Sequence, residues 1–176
     1  MTVKTYSFKD KNNATKKTEE LIATWYRDNG YTVIDVSDDK EYQQKDIDLI
    51  AYYNNDKTIQ TKLEIKSDSY ESTNYFAEVI SNTSKNSLGC WLKTEADLLL
   101  YYFEKRNEVH VIPVKEAQQY VLDNYDRLKS VLVGTKADNG KVLYYTEGKL
   151  INKKVLQKAM DIQIVNLSYY LNLQEA

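Results

Sequence analysis

The segment spanning residues 46–66 most constrains the fold, because it contains two β-prone runs separated by a turn signal. Residues 46–53 alternate between polar and apolar side chains, and residues 58–67 are β-branched with alternating charge, so both runs predict strands. The intervening Asn54-Asn55-Asp56 is typical of a turn. The segment therefore predicts a β-hairpin.

Charged side chains are concentrated on this hairpin. Side chains alternate between the two faces of a strand, so Glu64 and Lys66 share one face while Leu63 and Ile65 take the other. If the register brings Asp48 beside Glu64, two carboxylates meet next to an ammonium group. Such a cluster is unfavourable unless a divalent cation neutralises it. The hairpin thus predicts the outline of a metal site, although a Glu-x-Lys on a strand of a charged chain is more often solvated surface.

Length and composition predict one globular domain. The 176 residues are 42% apolar and 28% charged and contain no Pro/Gly/Ser-rich linker. We expect a domain over residues 1–176 with a core at about 16–115 and helix and strand additions over 116–176. No run of about 18 apolar residues and no apolar signal core occurs, so we expect a cytoplasmic protein without a membrane partner.

The sequence excludes several kinds of chemistry. With one cysteine, Cys90, and one histidine, His110, it cannot form an internal disulfide, a Cys- or His-rich metal cluster or a convincing catalytic triad. His110 lies in an apolar alternation and is predicted to be a strand residue. A net charge of -2 gives no global nucleic-acid signature. Local contacts could still come from lysines, namely Lys9, Lys11, Lys16, Lys17, Lys153, Lys154 and Lys158.

A helix is predicted before the hairpin, over residues 16–28, with Asn29-Gly30 as its stop signal. Its apolar stripe is centred between Ile22 and Trp25. At about 100° per residue, Glu19 falls near the edge of the stripe and can face the sheet, whereas Glu20 falls on the solvated side.

The rest of the chain alternates between strand and helix patterns. Polar loops are predicted over 37–45 and 82–94, and helices over 115–128 and 152–160. Strands are predicted over 31–36, 96–103, 108–114, 131–133 and 141–145, the last after the turn at Asp138-Asn139-Gly140. Residues 74–80 fit a short helix or a strand, with a strand favoured for the second half, and residues 162–167 are expected to close the sheet or to pack on it. This order predicts an α/β (α+β) fold with a mixed central β-sheet flanked by helices.

The combination of an inward-facing helical Glu, a strand, a hairpin bearing Asp…Glu-x-Lys and a further strand pair resembles the PD-(D/E)XK nuclease superfamily, with its restriction-endonuclease-like fold. The resemblance covers about residues 16–105, and its matching residues are Glu19, Asp48, Glu64, Ile65 and Lys66. The first helix is similar to that of archaeal Holliday-junction resolvases. The later run resembles phage and bacterial members through Asn74, Glu78, Gly89-Cys90-Trp91 and Ala96-Asp97.

The chain departs from the family pattern at one point. The proline of the family name is absent, and Ile47 precedes Asp48. This leaves Asp46 as a competitor for the metal-binding role. We favour Asp48 because it directly precedes the apolar pair Leu49-Ile50, as in the family pattern.

The resemblance implies a Mg²⁺-dependent DNA endonuclease, with Mn²⁺ as an alternative ion. Asp48 and Glu64, with the main-chain carbonyl of Ile65, would hold the metal. Lys66 would orient or deprotonate the attacking water, and Glu19 would hold a metal-bound water. A homodimer is expected if two strands are cut. The alternatives are a catalytically inactive nucleic-acid-binding or protein-interaction module of the same fold, and a small interaction protein whose Glu-x-Lys is surface charge.

Three residues outside this core are candidates for substrate binding. Asn74 is expected to contact the phosphate backbone, or else to be a turn residue. Glu78 is expected to be a fourth acidic contact or a second-metal ligand, or else a charged strand residue. Trp91 is expected to stack on an unpaired base, although such a residue more often packs a loop onto the core.

Overall fold

The computed structural model of the protein describes residues 4–137 and 139–174, and the side chains of residues 15–137 and 139–171. The helices are α1 (Phe8–Asp28), α2 (Lys40–Gln44), α3 (Cys90–Lys93), α4 (Val114–Asp123), α5 (Lys153–Ala159) and α6 (Ser168–Gln174). The strands are β1 (Lys4–Ser7), β2 (Tyr31–Asp35), β3 (Leu49–Tyr53), β4 (Gln60–Asp68), β5 (Asn74–Asn82), β6 (Ser87–Leu88), β7 (Leu98–Phe103), β8 (Glu108–Pro113), β9 (Lys129–Lys136), β10 (Val142–Asn152) and β11 (Gln163–Asn166). The predicted contacts of the Lys9 and Lys11 side chains and the turn position of Asp138 lie outside the described residues.

The chain forms two compact units, each made of three separate segments. The first unit comprises Met1–Asn13, Ser72–Lys93 and Lys115–Met160, and the second unit comprises Ala14–Glu71, Thr94–Val114 and Asp161–Ala176. The single-domain expectation stays a prediction, because interleaved units do not decide how many parts of a chain fold independently.

The second unit contains a six-stranded sheet in the order β11-β8-β7-β4-β3-β2. Strands β4 and β7 are parallel, whereas the other neighbours are antiparallel. Parallel neighbours need a long crossover, and the chain between β4 and β7 supplies one. The sheet and helix α1 contribute to one hydrophobic cluster. The predicted α/β class, with a mixed sheet flanked by helices, is confirmed.

Both strand pairs predicted for this unit are confirmed. Strands β3 and β4 pair through a turn in which Asn54 and Asn55 adopt the left-handed conformation, with φ of 49° and 59°. Asparagine tolerates this region better than most residues do. Strands β7 and β8 also pair, with Asn107 at φ 52° in their connection. His110 is a buried residue of β8, as predicted.

Helix α1 follows its predicted apolar stripe but starts before residue 16. Leu21 and Ile22 are buried, with exposed fractions of 2% and 0%. Burying each such side chain contributes roughly 1.5–3 kcal/mol. The helix ends at Asp28, and Gly30 follows with φ 86°, the left-handed conformation that favours glycine after a helix.

The first unit contains a five-stranded sheet in the order β1-β9-β10-β5-β6. Strand β5 pairs antiparallel with β10 over most of its length. This confirms the strand predicted for the second half of residues 74–80, and the strand also includes the first half. Trp91 of α3 is buried with its ring 6.1 Å from the ring of Tyr75 on β5. The predicted helix over 152–160 corresponds to α5, and Asn152 caps it by accepting a hydrogen bond from the Val155 N–H.

Several boundaries predicted from sequence were wrong. Residues 82–94 are not one loop, since they include the end of β5, β6 and α3, and residues 37–45 include α2. Elements of two to five residues are too short to show a period.

Strand β10 continues to Asn152, well beyond residue 145, through Gly148. A Cβ at Gly148 would lie 2.3 Å from the Phe76 ring, so a residue that weakens strand propensity is required there by packing. Helix α4 ends at Asp123 rather than at 128.

Among the residues that the structure describes, no helix is both long enough and apolar enough to cross a membrane.

We predict that Gly89→Ala destabilises the protein. A Cβ at position 89 would lie 2.4 Å from the carbonyl oxygen and 2.6 Å from the carbonyl carbon of Glu78. Atoms of a paired strand cannot move aside as a side chain can, so we expect a loss of about 1–3 kcal/mol in the free energy of unfolding, measured by urea denaturation.

The matched control is Gly140→Asn. Gly140 has φ 80° and no atom within 4 Å of an added Cβ, and asparagine tolerates this backbone region. The control should therefore change stability less than Gly89→Ala does. Equal or opposite effects would contradict the close packing at Gly89.

Candidate active site

The hairpin register brings Asp48 beside Glu64. Leu49 of β3 lies opposite Leu63 of β4, and the Asp48 N–H donates to the Leu63 carbonyl oxygen at 2.9 Å. The next facing pair consists of Asp48, which precedes Leu49, and Glu64, which follows Leu63. A side-chain hydrogen bond with Glu64 lowers the pKa of Asp48. The register on which the predicted cluster depends is confirmed.

Glu64 is the most deeply buried member of the cluster, with an exposed fraction of 2%. Burial raises the pKa of Glu64 well above its usual range; the Lys66 ammonium acts in the opposite direction, and the Asp48 charge adds to the rise. The Lys66 Nζ lies 2.7 Å from the Glu64 Oε1, and the Lys66 side chain is 38% exposed. The ion pair therefore links a buried carboxylate to a cation that reaches solvent.

Asp48 is held by the neighbouring strand. Its Oδ2 accepts a hydrogen bond from the Ile65 N–H at 2.7 Å. Burial raises the pKa of Asp48, while the Lys66 ammonium and the Ile65 N–H act in the opposite direction. The backbone of β4 thus orients the Asp48 carboxylate relative to Glu64.

Asp46 lies near the same cluster but is positioned differently. It adopts φ 48°, and its main-chain carbonyl accepts the Thr94 hydroxyl at 2.6 Å. Its charge contributes to the raised pKa of both Asp48 and Glu64. The orientation of Asp48 by β4 favours Asp48 as the metal ligand, and this assignment stays a prediction.

Glu19 brings a third carboxyl group to the cluster from helix α1. It is 6% exposed, and its Oε2 is buried without a hydrogen-bond partner among the described residues. Burial raises the pKa of Glu19 to about 7; the Asp48 charge adds to the rise, and Lys16 opposes it. A buried oxygen without a partner is unfavourable, so a ligand that satisfies it would stabilise this arrangement.

The predicted phase of α1 is confirmed at the two adjacent glutamates. Glu20 is exposed, and its Oε1 accepts a hydrogen bond from the Arg27 Nη1 at 2.9 Å. Glu19 is buried on the other side of the helix. The apolar stripe of the sequence was enough to distinguish them.

Two features of this region were not anticipated as parts of a site. The Lys16 Nζ lies 3.0 Å from the Asp38 Oδ2 and 3.3 Å from the Ser37 Oγ, so the β2–α2 connection holds the Lys16 ammonium of helix α1. The charge of this ammonium lowers the pKa of Glu19. The Tyr101 hydroxyl lies 3.2 Å from the Asp68 Oδ2, on the same face of β4 as Lys66. Strand alternation could have indicated Asp68, but Tyr101 joins it only through the β4–β7 pairing.

The three other predicted residues belong to the first unit. Asn74 begins β5, where its N–H donates to the Ser72 Oγ at 3.0 Å. Glu78 is half-buried in the same strand, opposite Gly148. Trp91 is 2% exposed, so its ring is not open to a base and packs in the unit instead, which corrects the stacking expectation. The roles of Asn74 and Glu78 stay predictions.

The donor set fits a hard divalent cation. Mg²⁺ prefers oxygen ligands and usually binds through one or two carboxylates with several waters. Asp48 and Glu64 are two adjacent carboxyl groups, and Glu19 adds a buried oxygen that has no hydrogen-bond partner among the described residues. Within the described part of the chain, no group of three or more His, Cys, Asp or Glu side chains is placed to hold a metal ion. The candidate set is therefore two carboxylates with main-chain and water ligands.

We predict a pH-dependent effect of Glu19 on stability. Because its folded pKa of about 7 exceeds the unfolded value of about 4.3, its protonated form stabilises the fold. This contribution is fully present below about pH 4.3 and is lost as the pH rises through 7. In a metal chelator, Glu19→Gln should match the wild type near pH 4 and exceed it by about 3 kcal/mol at pH 8.

Glu20→Gln is the matched control, because Glu20 is the exposed neighbour on the same helix. Its stability difference from the wild type should be nearly constant between pH 5 and pH 8. A Glu19→Gln difference that is equally constant would contradict the buried, proton-retaining environment assigned to Glu19.

No protein-family model matches the chain, and no curated protein matches it. Among solved structures, the chain is similar to a bacterial homing endonuclease, I-Ssp6803I, with 17% sequence identity and a TM-score of 0.39. The match covers 57% of this chain and 63% of the endonuclease chain, so it spans less than two thirds of that protein. A similarity of this extent carries no argument about function, which has to come from the site itself.

Proposed function

We propose that the protein is a metal-dependent nuclease that hydrolyses phosphodiester bonds in DNA. The observation that carries the proposal is the meeting of Asp48, Glu64 and Lys66 in the β3–β4 hairpin, with Glu19 beside Asp48. The adjacent carboxyl groups of the buried Glu64 and the half-buried Asp48, together with a lysine, suit an enzyme that binds a divalent cation next to a phosphate. The resemblance to PD-(D/E)XK nucleases supports the same reaction.

Asp48, Glu64 and the Ile65 carbonyl would hold Mg²⁺ or Mn²⁺. Once bound, the metal lowers the pKa of the attacking water and stabilises the charge that develops on the phosphate. The Ile65 N–H keeps the Asp48 carboxylate oriented, so this ligand needs little reorganisation. The burial of Glu64 places it where electrostatic interactions are stronger than in bulk water.

Lys66 and Glu19 act on the water and the phosphate. The Lys66 ammonium lies next to Glu64 and reaches solvent, so it can donate a hydrogen bond to the attacking water or to a phosphate oxygen. The Oε2 of Glu19, which has no hydrogen-bond partner in the described part of the chain, can accept a hydrogen bond from water. In-line attack on phosphorus forms the new P–O bond as the bond to the leaving oxygen breaks, and both side chains hold the water in line. The attacking water loses its proton to solvent, and the leaving oxygen takes one up from solvent.

We predict that cleavage requires Lys66. Wild-type protein with Mg²⁺ or Mn²⁺ should cut one or more of supercoiled plasmid, linear duplex, single-stranded or four-way-junction DNA. Lys66→Ala should lower the rate by about 100-fold or more while the protein stays folded. The preferred substrate identifies the role, and conversion of plasmid to a linear form rather than a nicked circle would support a homodimer that cuts both strands.

Lys62→Ala is the control for loss of positive charge. Lys62 lies on the same strand and the same face, two residues from Glu64 on the side away from Lys66. It should keep most of the wild-type rate. Cleavage that survives Lys66→Ala would point to a contaminating nuclease, and no cleavage of any substrate with either metal would leave the inactive binding module as the better description.

We predict that Mg²⁺ stabilises the protein through Asp48. A ligand at ten times its Kd adds about 1.4 kcal/mol to folding, which raises the Tm of a chain of this size by roughly 3–6 °C. The rise should be lost in Asp48→Ala and kept in Asp28→Ala, because Asp28 is exposed at the end of α1 and does not contribute to the raised pKa values of Glu19, Asp48 and Glu64. Thermal melts at increasing Mg²⁺ measure this, and equal rises in both variants would contradict the site.

A further inference from the structure

Strand β4 carries four charged side chains of alternating sign on one face, namely Lys62, Glu64, Lys66 and Asp68. Glu64, Lys66 and Asp68 are two residues apart, so they point to the same side of the sheet. Side chains so placed are separated by roughly 6.6 Å along the strand, which is within reach of a lysine side chain in either direction. The ammonium lies 2.7 Å from Glu64, and a second carboxylate follows on its other side.

The Asp68 carboxylate has a defined orientation. Its Oδ1 accepts a hydrogen bond from the Tyr70 N–H at 2.7 Å, and its Oδ2 accepts one from the Tyr101 hydroxyl at 3.2 Å. Tyr101 lies opposite Lys66 in the parallel β4–β7 pairing and is 4% exposed. Each carboxylate oxygen has two lone pairs, so Asp68 keeps acceptor capacity after making both bonds.

We propose that Asp68, oriented by Tyr101, is a positioning residue that provides a second anchor for the Lys66 ammonium. The inference rests on the proposed function, because it concerns the state in which Glu64 binds a metal. Lone pairs of Glu64 that bind a metal ion are no longer available to Lys66. The metal ion and the Lys66 ammonium also repel each other, because both are positively charged. The ion pair with Glu64 would then no longer hold the half-exposed Lys66 side chain. Asp68 holds it beside the cluster instead.

This proposal can be tested without metal or DNA. Glu64→Gln keeps the shape of the side chain but removes the charge that competes for Lys66. In that background, the double-mutant cycle of Lys66→Met and Asp68→Asn should give a coupling of about threefold or more in the unfolding equilibrium constant. In the background that retains Glu64, the coupling should be below about twofold. Coupling below twofold in both backgrounds would overturn the proposal.

Asp68→Asn tests the charge of Asp68 alone. The amide still accepts a hydrogen bond from the Tyr70 N–H and can still bond to the Tyr101 hydroxyl, while the negative charge is lost. It should lower kcat about tenfold with KM changed less than twofold, as expected for a group that positions another. Tyr101→Phe should lower kcat about threefold. Tyr102→Phe removes a buried hydroxyl that bonds to Asn107 on the opposite face of β7, and it should leave kcat unchanged.

The cleavage rate and the coupling in the unfolding equilibrium distinguish a failure of the proposed nuclease function from a failure of the positioning role of Asp68. If the wild type cleaves DNA and Asp68→Asn cleaves at the same rate, the positioning role is overturned and the nuclease stands. If the wild type cleaves nothing, the proposed function is overturned, and the coupling measured in the Glu64→Gln background decides alone whether Asp68 anchors Lys66.

Discussion

The burial of Glu64 is the constraint on which the candidate site depends. Strand β4 lies between β3 on one side and β7 on the other, so it is an inner strand of the sheet. An ionised carboxylate in such a position needs partners, because transferring an unpaired charge from water into the interior is strongly unfavourable. Lys66 is such a partner, whereas the charge of the adjacent Asp48 opposes the ionisation of Glu64. Each is positioned by the same strand, Lys66 by its sequence and Asp48 by the Ile65 N–H.

Three carboxyl groups with raised pKa values meet around this strand, and this arrangement does not favour stability. Burial raises the pKa of Glu64, of Asp48 and of Glu19, because each ionised carboxylate is solvated less well inside the protein than in water. Ordinary packing would place apolar side chains at such positions. Proteins keep polar clusters of this kind where a function requires them, since stability and activity often conflict at a site. The rest of the second unit offsets the loss through its apolar core.

The features of the site that depend on a single helix or hairpin could be predicted from the sequence. The phase of α1 separates Glu19 from Glu20, because a helix repeats every 3.6 residues. The alternation of β4 puts Glu64 and Lys66 on one face, and the antiparallel hairpin brings Asp48 to Glu64 through a short turn. Fewer elements of the first unit could be predicted from the sequence. Strand β6 and helix α3 are too short to show a period, and β10 contains Gly148, a residue type that weakens strand propensity. The burial of Trp91 also depends on neighbours that lie far away in the sequence.

The sequence by itself determined the amphipathic first helix, the central hairpin and the charged residues that share a face of β4, because these follow from local periodicity and turn chemistry. Only the tertiary structure decided which residues lie beside that strand. Tyr101 reaches Asp68 because β7 pairs in parallel with β4 after a long crossover, and no local pattern encodes such a pairing. Burial depends on the same long-range contacts, so the raised pKa values of Glu19, Asp48 and Glu64 are properties of the folded sheet rather than of any segment of the chain.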